Sequence, residues 1–171
     1  MSTTSQQILF LDPTVGDTAS FLYQVDPSIE VVLLSADQNG LEQIAEALAG
    51  RTGVDAVHVV SHGGAGYLQL GNGTLDQSGL GLQADALATI GSALSESADL
   101  LLYGCDVAAG DAGAAFISAL ADATGADVAA SVDVTGAAWL GGDWELEAST
   151  GAIETTPVAA EAAISSAFCA S

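Results

Sequence analysis

The chain has 171 residues, half of them hydrophobic and 5% aromatic, with 22 acidic side chains against one basic residue, Arg51. Its length favours one domain with a sizeable core, and its apolar content excludes a disordered chain. A net charge of −21 argues against nucleic acid or an anionic membrane surface as partner, since both would be repelled. It fits a high-salt or extracellular milieu, a cationic substrate, or solubility alone.

In chain order, Ile8-Leu9-Phe10-Leu11 is an apolar run stopped by Asp12-Pro13, which predicts a buried strand. Glu30 to Ser35 predicts a second strand around Val31-Val32-Leu33-Leu34. After Asn39-Gly40, Leu41, Ile44, Ala45 and Leu48 recur at helical spacing, and Gly50 ends the helix. Ala56 to Ser61 is a third strand. Tyr67 to Leu75, interrupted by Gly71-Asn72-Gly73, predicts a small hairpin, because Asn-Gly suits a tight turn. Leu82 to Leu94 reads as a helix with Leu87, Ile90 and Leu94 on one face, and Asp99 to Gly104 as the fourth parallel strand. Asp111 to Thr124 is helical through Phe116, Ile117 and Leu120, and Ala126 to Ser131 is a fifth strand. Trp139-Leu140 and Asp143 to Leu146 flank Gly141-Gly142 as a hairpin, and Ile153-Glu154 could add a last strand.

Strands alternating with helices predict an α/β fold: a parallel-dominated sheet of about six strands with helices on both faces, plus small β-hairpins. Residues 1–156 form the domain in this reading. Residues 157–171 are an Ala/Ser-rich tail or linker, in which Ile164 and Phe168 could dock as a short helix. Cys105 and Cys169 could pair, but two cysteines in a chain of this size make no disulfide framework. The start of the chain lacks a basic n-region, so no secretory signal is visible, and no apolar run is long enough to span a membrane. Export by another route, or excision from a longer polypeptide, stays open.

Open α/β sheets place ligand sites at the carboxyl ends of their strands. Residues following the predicted strands there are Asp12, Ser35 and Asp37, His62-Gly63, Cys105-Asp106 and Asp133. Two of them carry the chemistry. His62 follows an apolar strand and precedes Gly63-Gly64; Cys105 follows Leu100-Leu101-Leu102-Tyr103-Gly104. On neighbouring strands they would emerge side by side, a thiol nucleophile beside a proton donor. The amides of Gly63 and Cys105 could then bind an oxyanion. A helix N-terminus after Ala108-Ala109-Gly110 would favour the thiolate and Asp106 would oppose it. His58 shares the parity of His62 but stands roughly 13 Å away along a strand, so the two make no metal pair and His58 is a core histidine. The aspartates lack calcium-loop spacing and read as solvated surface. No metal or cofactor is expected.

The words Val57-His58-Val59-Val60-Ser61-His62-Gly63 and Leu100-Leu101-Leu102-Tyr103-Gly104-Cys105 resemble the caspase–gingipain–separase clan of cysteine peptidases. Three further words, Tyr103-Gly104-Cys105-Asp106-Val107, Gly125-Ala126-Asp127-Val128-Ala129 and Gly141-Gly142-Asp143-Trp144-Glu145-Leu146-Glu147, look closer to a bacterial domain family of unassigned activity. That family sits near the N-termini of very large, repeat-rich surface or secreted proteins. The resemblance spans about residues 6 to 155.

The clan implies a caspase-like three-layer sandwich and a thiol-dependent endopeptidase. Cys105 would be the nucleophile, His62 the general acid to the leaving amine, and Gly63 with the Cys105 amide the oxyanion site. In the clan a residue ending the first strand often sets preference at the residue before the cut. Asp12 holds that position, which implies a pocket for Arg or Lys; Asp106 and Asp133 are further candidates for the same role. The implied partner is a peptide or protein substrate, the parent polypeptide included, and the implied location is extracellular or cell-surface. With Arg51 the single basic residue, such an enzyme would hardly digest itself. The chain is shorter than many clan members and shows no evident activation segment, so constitutive, latent and dead forms all stay open. Two other readings stay open: an inactive scaffold or binding module of a large adhesin-type protein, and a nucleotide-binding doubly wound domain. The second lacks a Gly-rich phosphate loop after its first strand.

Overall fold

Val, Ile, Leu and Phe fill the middle strands almost without a break, the pattern of strands buried on both faces of a parallel sheet. The computed structural model describes residues 6–12, 29–103, 107–130 and 148–151. It contains a six-stranded sheet in the order β2-β1-β3-β7-β8-β9 and a three-stranded antiparallel sheet β4-β5-β6. The strands of the large sheet are β1 (Gln7–Leu11), β2 (Glu30–Leu33), β3 (Val54–Val60), β7 (Leu94–Tyr103), β8 (Asp127–Ala130) and β9 (Ala148–Ser149); those of the small one are β4 (Gly63–Gly64), β5 (Tyr67–Leu70) and β6 (Gly73–Asp76). All pairings in the large sheet are parallel except β8 with β9. The predicted α/β class, parallel-dominated sheet and small β-hairpin are therefore present.

Four helices are described: α1 (Gly40–Leu48), α2 (Gln77–Leu82), α3 (Ala84–Ala93) and α4 (Gly110–Thr124). Helix α1 starts where Asn39 accepts the Glu42 N–H at 3.1 Å, a side-chain cap for an otherwise orphan donor. Its Leu41, Ile44 and Leu48 join Leu87 and Ile90 of α3 and Phe116 and Leu120 of α4 in one core with Ile8, Phe10, Val57, Val59, Leu100 and Leu102 of the sheet. Full burial of each such side chain stabilises the fold by about 1.5–3 kcal/mol.

The opposite face of the sheet is set by register. Leu9, His58, Leu101 and Ala129 lie side by side across it, followed by Leu11, Val60 and Tyr103. Every one of these is buried, so the sheet is covered on both faces. This second face carries polar groups that the first lacks, and His58 is among them, a core histidine as its context predicted.

Three boundaries differ from expectation. Two helices stand here: an unexpected one, Gln77–Leu82, and then the expected one, which runs Ala84–Ala93 instead of Leu82 to Leu94. Asp76 caps the first by accepting the Gly79 N–H at 2.8 Å, and Leu82 ends it 89% exposed. Leu94 opens a strand instead of closing a helix. Its register with β3 shifts between Val54 and Ala56, so β7 starts at Leu94 and not at Asp99. The third difference is β9, which pairs antiparallel to β8 from a stretch with no apolar alternation. The expected hairpin around Gly141-Gly142, the strand at Ile153-Glu154 and the tail from Pro157 lie outside the described residues.

Candidate active site

The carboxyl ends of β3 and β7 are level. Val60 pairs with Tyr103 as the last step of a parallel ladder, and the Ser61 N–H continues it by donating to the Tyr103 carbonyl at 3.3 Å. His62 follows, half-buried at the rim. The adjacency on which a His/Cys pairing depends is thus present for the strands. Cys105 itself, with Gly104 and Asp106, lies outside the described residues, as do Asp133 and Cys169. The chain on either side of Cys105 is described: Tyr103 ends β7, and Val107 is fully buried against the turn that follows His62.

That turn is built by β4 and β5. Gly63 pairs with Leu68 and Gly64 with Tyr67, while the Gln69 N–H donates to the His62 carbonyl at 2.9 Å. Hydrogen-bonded and non-hydrogen-bonded pairs alternate in an antiparallel ladder. With His62 and Gln69 a bonded pair, Gly63 is at the alternate position, where N–H and C=O point away from β5. The oxyanion role assigned to Gly63 requires an amide so directed. The position also has no room for a side chain: a Cβ there would stand 2.7 Å from Val107 Cγ2 and 3.0 Å from the Tyr67 carbonyl oxygen. The Gly66 N–H, donating to the Val107 carbonyl at 3.0 Å, ties the same hairpin to the chain just beyond Cys105. Helix α4 starts only at Gly110, and no side chain caps its first turn.

Asp12 reaches the end of β1, as its place after the first strand requires, but it does not face outward. Its side chain is fully buried, and its Oδ2 accepts the Gly71 N–H at 2.7 Å. The expected pocket carboxylate is thus bound to backbone in the β5–β6 turn. Nothing in the apolar pattern before Asp12 foretold this; the partner lies 59 residues away.

Sequence reasoning placed His58 in the core but missed its partners beneath the rim. His58 Nε2 lies 2.8 Å from Gln7 Oε1 and Nδ1 lies 3.0 Å from the Tyr103 hydroxyl. An amide oxygen only accepts, so Nε2 carries the hydrogen and Nδ1 accepts from the Tyr103 O–H. The two rings also stack, with centroids 5.8 Å apart and planes 21° off parallel. Burial disfavours the imidazolium and lowers the His58 pKa from 6.5 to about 4. His58 is therefore neutral at pH 7, a fixed part that braces Tyr103, two residues before Cys105. The signal in the sequence was parity: Tyr103 and Cys105, like His58, Val60 and His62, are spaced by two or four.

An apolar void of about 20 Å³ between sheet and helices, lined in part by Val57, Val59, Leu100 and Leu102, belongs to the core and not to the rim. Among the described residues no group of three or more His, Cys, Asp or Glu is placed to hold a metal ion, and no helix is long and apolar enough to cross a membrane.

Comparison with curated proteins returns no match. Residues 8–169 match the family DUF4347, described as a domain of unknown function, a span that takes in the rim, both sheets and most of the stretch read as a tail. With nearly its whole length matched, the chain belongs to this family.

Proposed function

We propose that the chain is a cysteine endopeptidase in which Cys105 attacks and His62 moves the proton. The observation that carries this reading is the level pairing of Val60 with Tyr103. Each reactive residue is two positions beyond a strand end, and those ends are neighbours. The described residues nearest to Cys105 in the chain add support: Tyr103 belongs to the ladder beside Val60, and Val107 packs on Gly63 in the turn that follows His62.

In the reaction, the Cys105 sulfur adds to the scissile carbonyl carbon as a thiolate, its proton having passed to His62. Negative charge builds on the carbonyl oxygen, where the Gly63 N–H and the Cys105 amide would stabilise it. The C–N bond breaks as the imidazolium returns the proton to the leaving amine. Water then hydrolyses the thioester and restores the thiol.

A peptide with Arg or Lys before the cut is the favoured substrate. The support is charge: a chain with a net charge of −21 concentrates cationic peptides around it. Asp12 is left out of the pocket, since its carboxylate is bound to Gly71. Processing of a surface or secreted protein, the parent chain included, is the role we assign.

Alkylation tests the reading directly. In the Cys169→Ser protein, iodoacetamide should modify Cys105 at least ~10-fold faster than an unperturbed thiol at pH 6, where a free thiol of pKa about 8.5 is almost fully protonated. His62→Ala should remove that advantage. An ordinary rate, unchanged by His62→Ala, would instead favour a non-catalytic binding module.

A further inference from the structure

We propose that Asp12 is a positioning residue for His62, a clamp that sets where the histidine turn sits on the sheet. The inference rests on the proposed dyad for its functional meaning, although the clamp itself is a matter of geometry. Two routes lead from Asp12 to His62. Along the first, the Asp12 N–H donates to the Val60 carbonyl at 2.9 Å, fixing the strand end two residues before His62. Along the second, Asp12 Oδ2 accepts the Gly71 N–H at 2.7 Å. Gly71 opens the β5–β6 turn, and β5 runs back from it so that the Gln69 N–H holds the His62 carbonyl. One fully buried residue therefore grips both the chain entering His62 and the hairpin that returns to it.

The surroundings leave the turn little freedom to compensate. The Asn72 N–H donates to the Gln38 carbonyl at 2.9 Å, and the Asn72 side-chain amide to the Asp37 carbonyl at 3.1 Å. Gly71 has φ +60°, and a Cβ there would collide with the Gln38 carbonyl oxygen. The turn is thus seated against the loop before α1, and Asp12 reaches it from beneath.

The test uses Asp12→Ala and Asp12→Asn in the whole chain, with two readouts that need no activity: hydrogen exchange at the Gly71 amide and the imidazole resonances of His62. Asp12→Ala should speed Gly71 exchange at least ~10-fold and move the His62 resonances, the cost of removing a buried acceptor. Asp12→Asn keeps an acceptor oxygen and should stay close to wild type in both. If Asp12→Ala does not fold, Asp12→Ser, too short to reach Gly71, replaces it with the same expected outcome. In cleavage assays Asp12→Ala should lower kcat roughly 10-fold or more on every peptide with little change in KM. The order of preference among Arg, Lys and neutral residues before the cut should stay the same. Loss of the preference for Arg and Lys in Asp12→Asn would overturn the proposal and return Asp12 to the substrate pocket. Unchanged exchange and resonances in Asp12→Ala would overturn it too. A wild type that cleaves nothing would count against the dyad, while exchange and resonances still decide the clamp.

Discussion

His58 and His62 are four residues apart on one strand and its extension, and their surroundings differ. His58 is fully buried, held between the Gln7 amide and the Tyr103 hydroxyl, and kept neutral by burial. His62 is half-buried on the rim, at the head of a two-glycine turn and beside the strand that leads to Cys105. An imidazole walled in on both nitrogens is a brace; one at a strand end, partly open to solvent, can move a proton. Residue type alone does not separate the histidine proposed to carry a proton from the one that braces the core; burial and position along the strand do differ.

The largest effects should separate the two ends of that strand. Cys105→Ala and His62→Ala should each reduce peptide cleavage by at least ~10³-fold, because members of a nucleophile–base pair fail together. Thermal unfolding should change far less than cleavage in either variant.

Next comes acid stability, which belongs to His58. Its folded pKa of about 4 lies below the unfolded 6.5, so the unfolded chain binds the proton more readily between those values. The stability this contributes is fully present above pH 6.5 and is lost as pH falls toward 4. Between pH 7 and pH 4, wild type should lose on the order of 2–3 kcal/mol more than His58→Gln, measured by urea unfolding. Equal losses would mean that His58 titrates normally in the folded protein.

Smaller still, Tyr103→Phe should cost about 1–3 kcal/mol by stranding the buried His58 Nδ1, while keeping the ring stack. Differential scanning calorimetry reads it as a lowered Tm. At the bottom of the scale, Leu82→Gln should shift stability by less than about 0.5 kcal/mol, because that side chain stands 89% in solvent.

The parallel sheet was legible because Ile8 to Leu11, Val57 to Val60 and Leu100 to Leu102 are apolar on nearly every residue. A strand with one face in water would alternate instead. The rim was legible for the same reason: each run stops on a polar or small residue, and neighbouring strands stop together. The use of Asp12 was not legible, since its partner is a backbone amide 59 residues away in a turn that sequence reads only as a hairpin. The helix before Leu82 was missed because Gly79 and Gly81 hide it, and a capping aspartate three residues before a glycine is a weak signal. Nor did the sequence reveal that His58 and Tyr103 touch; that depends on the register between β3 and β7, which only the paired strands set.

The measurement that bears most directly on the central claim is cleavage of a diverse peptide library by wild type beside Cys105→Ala. Wild type should make cuts, enriched after Arg or Lys, that vanish in the variant. The same cuts from both proteins, or none from either, would contradict the claim.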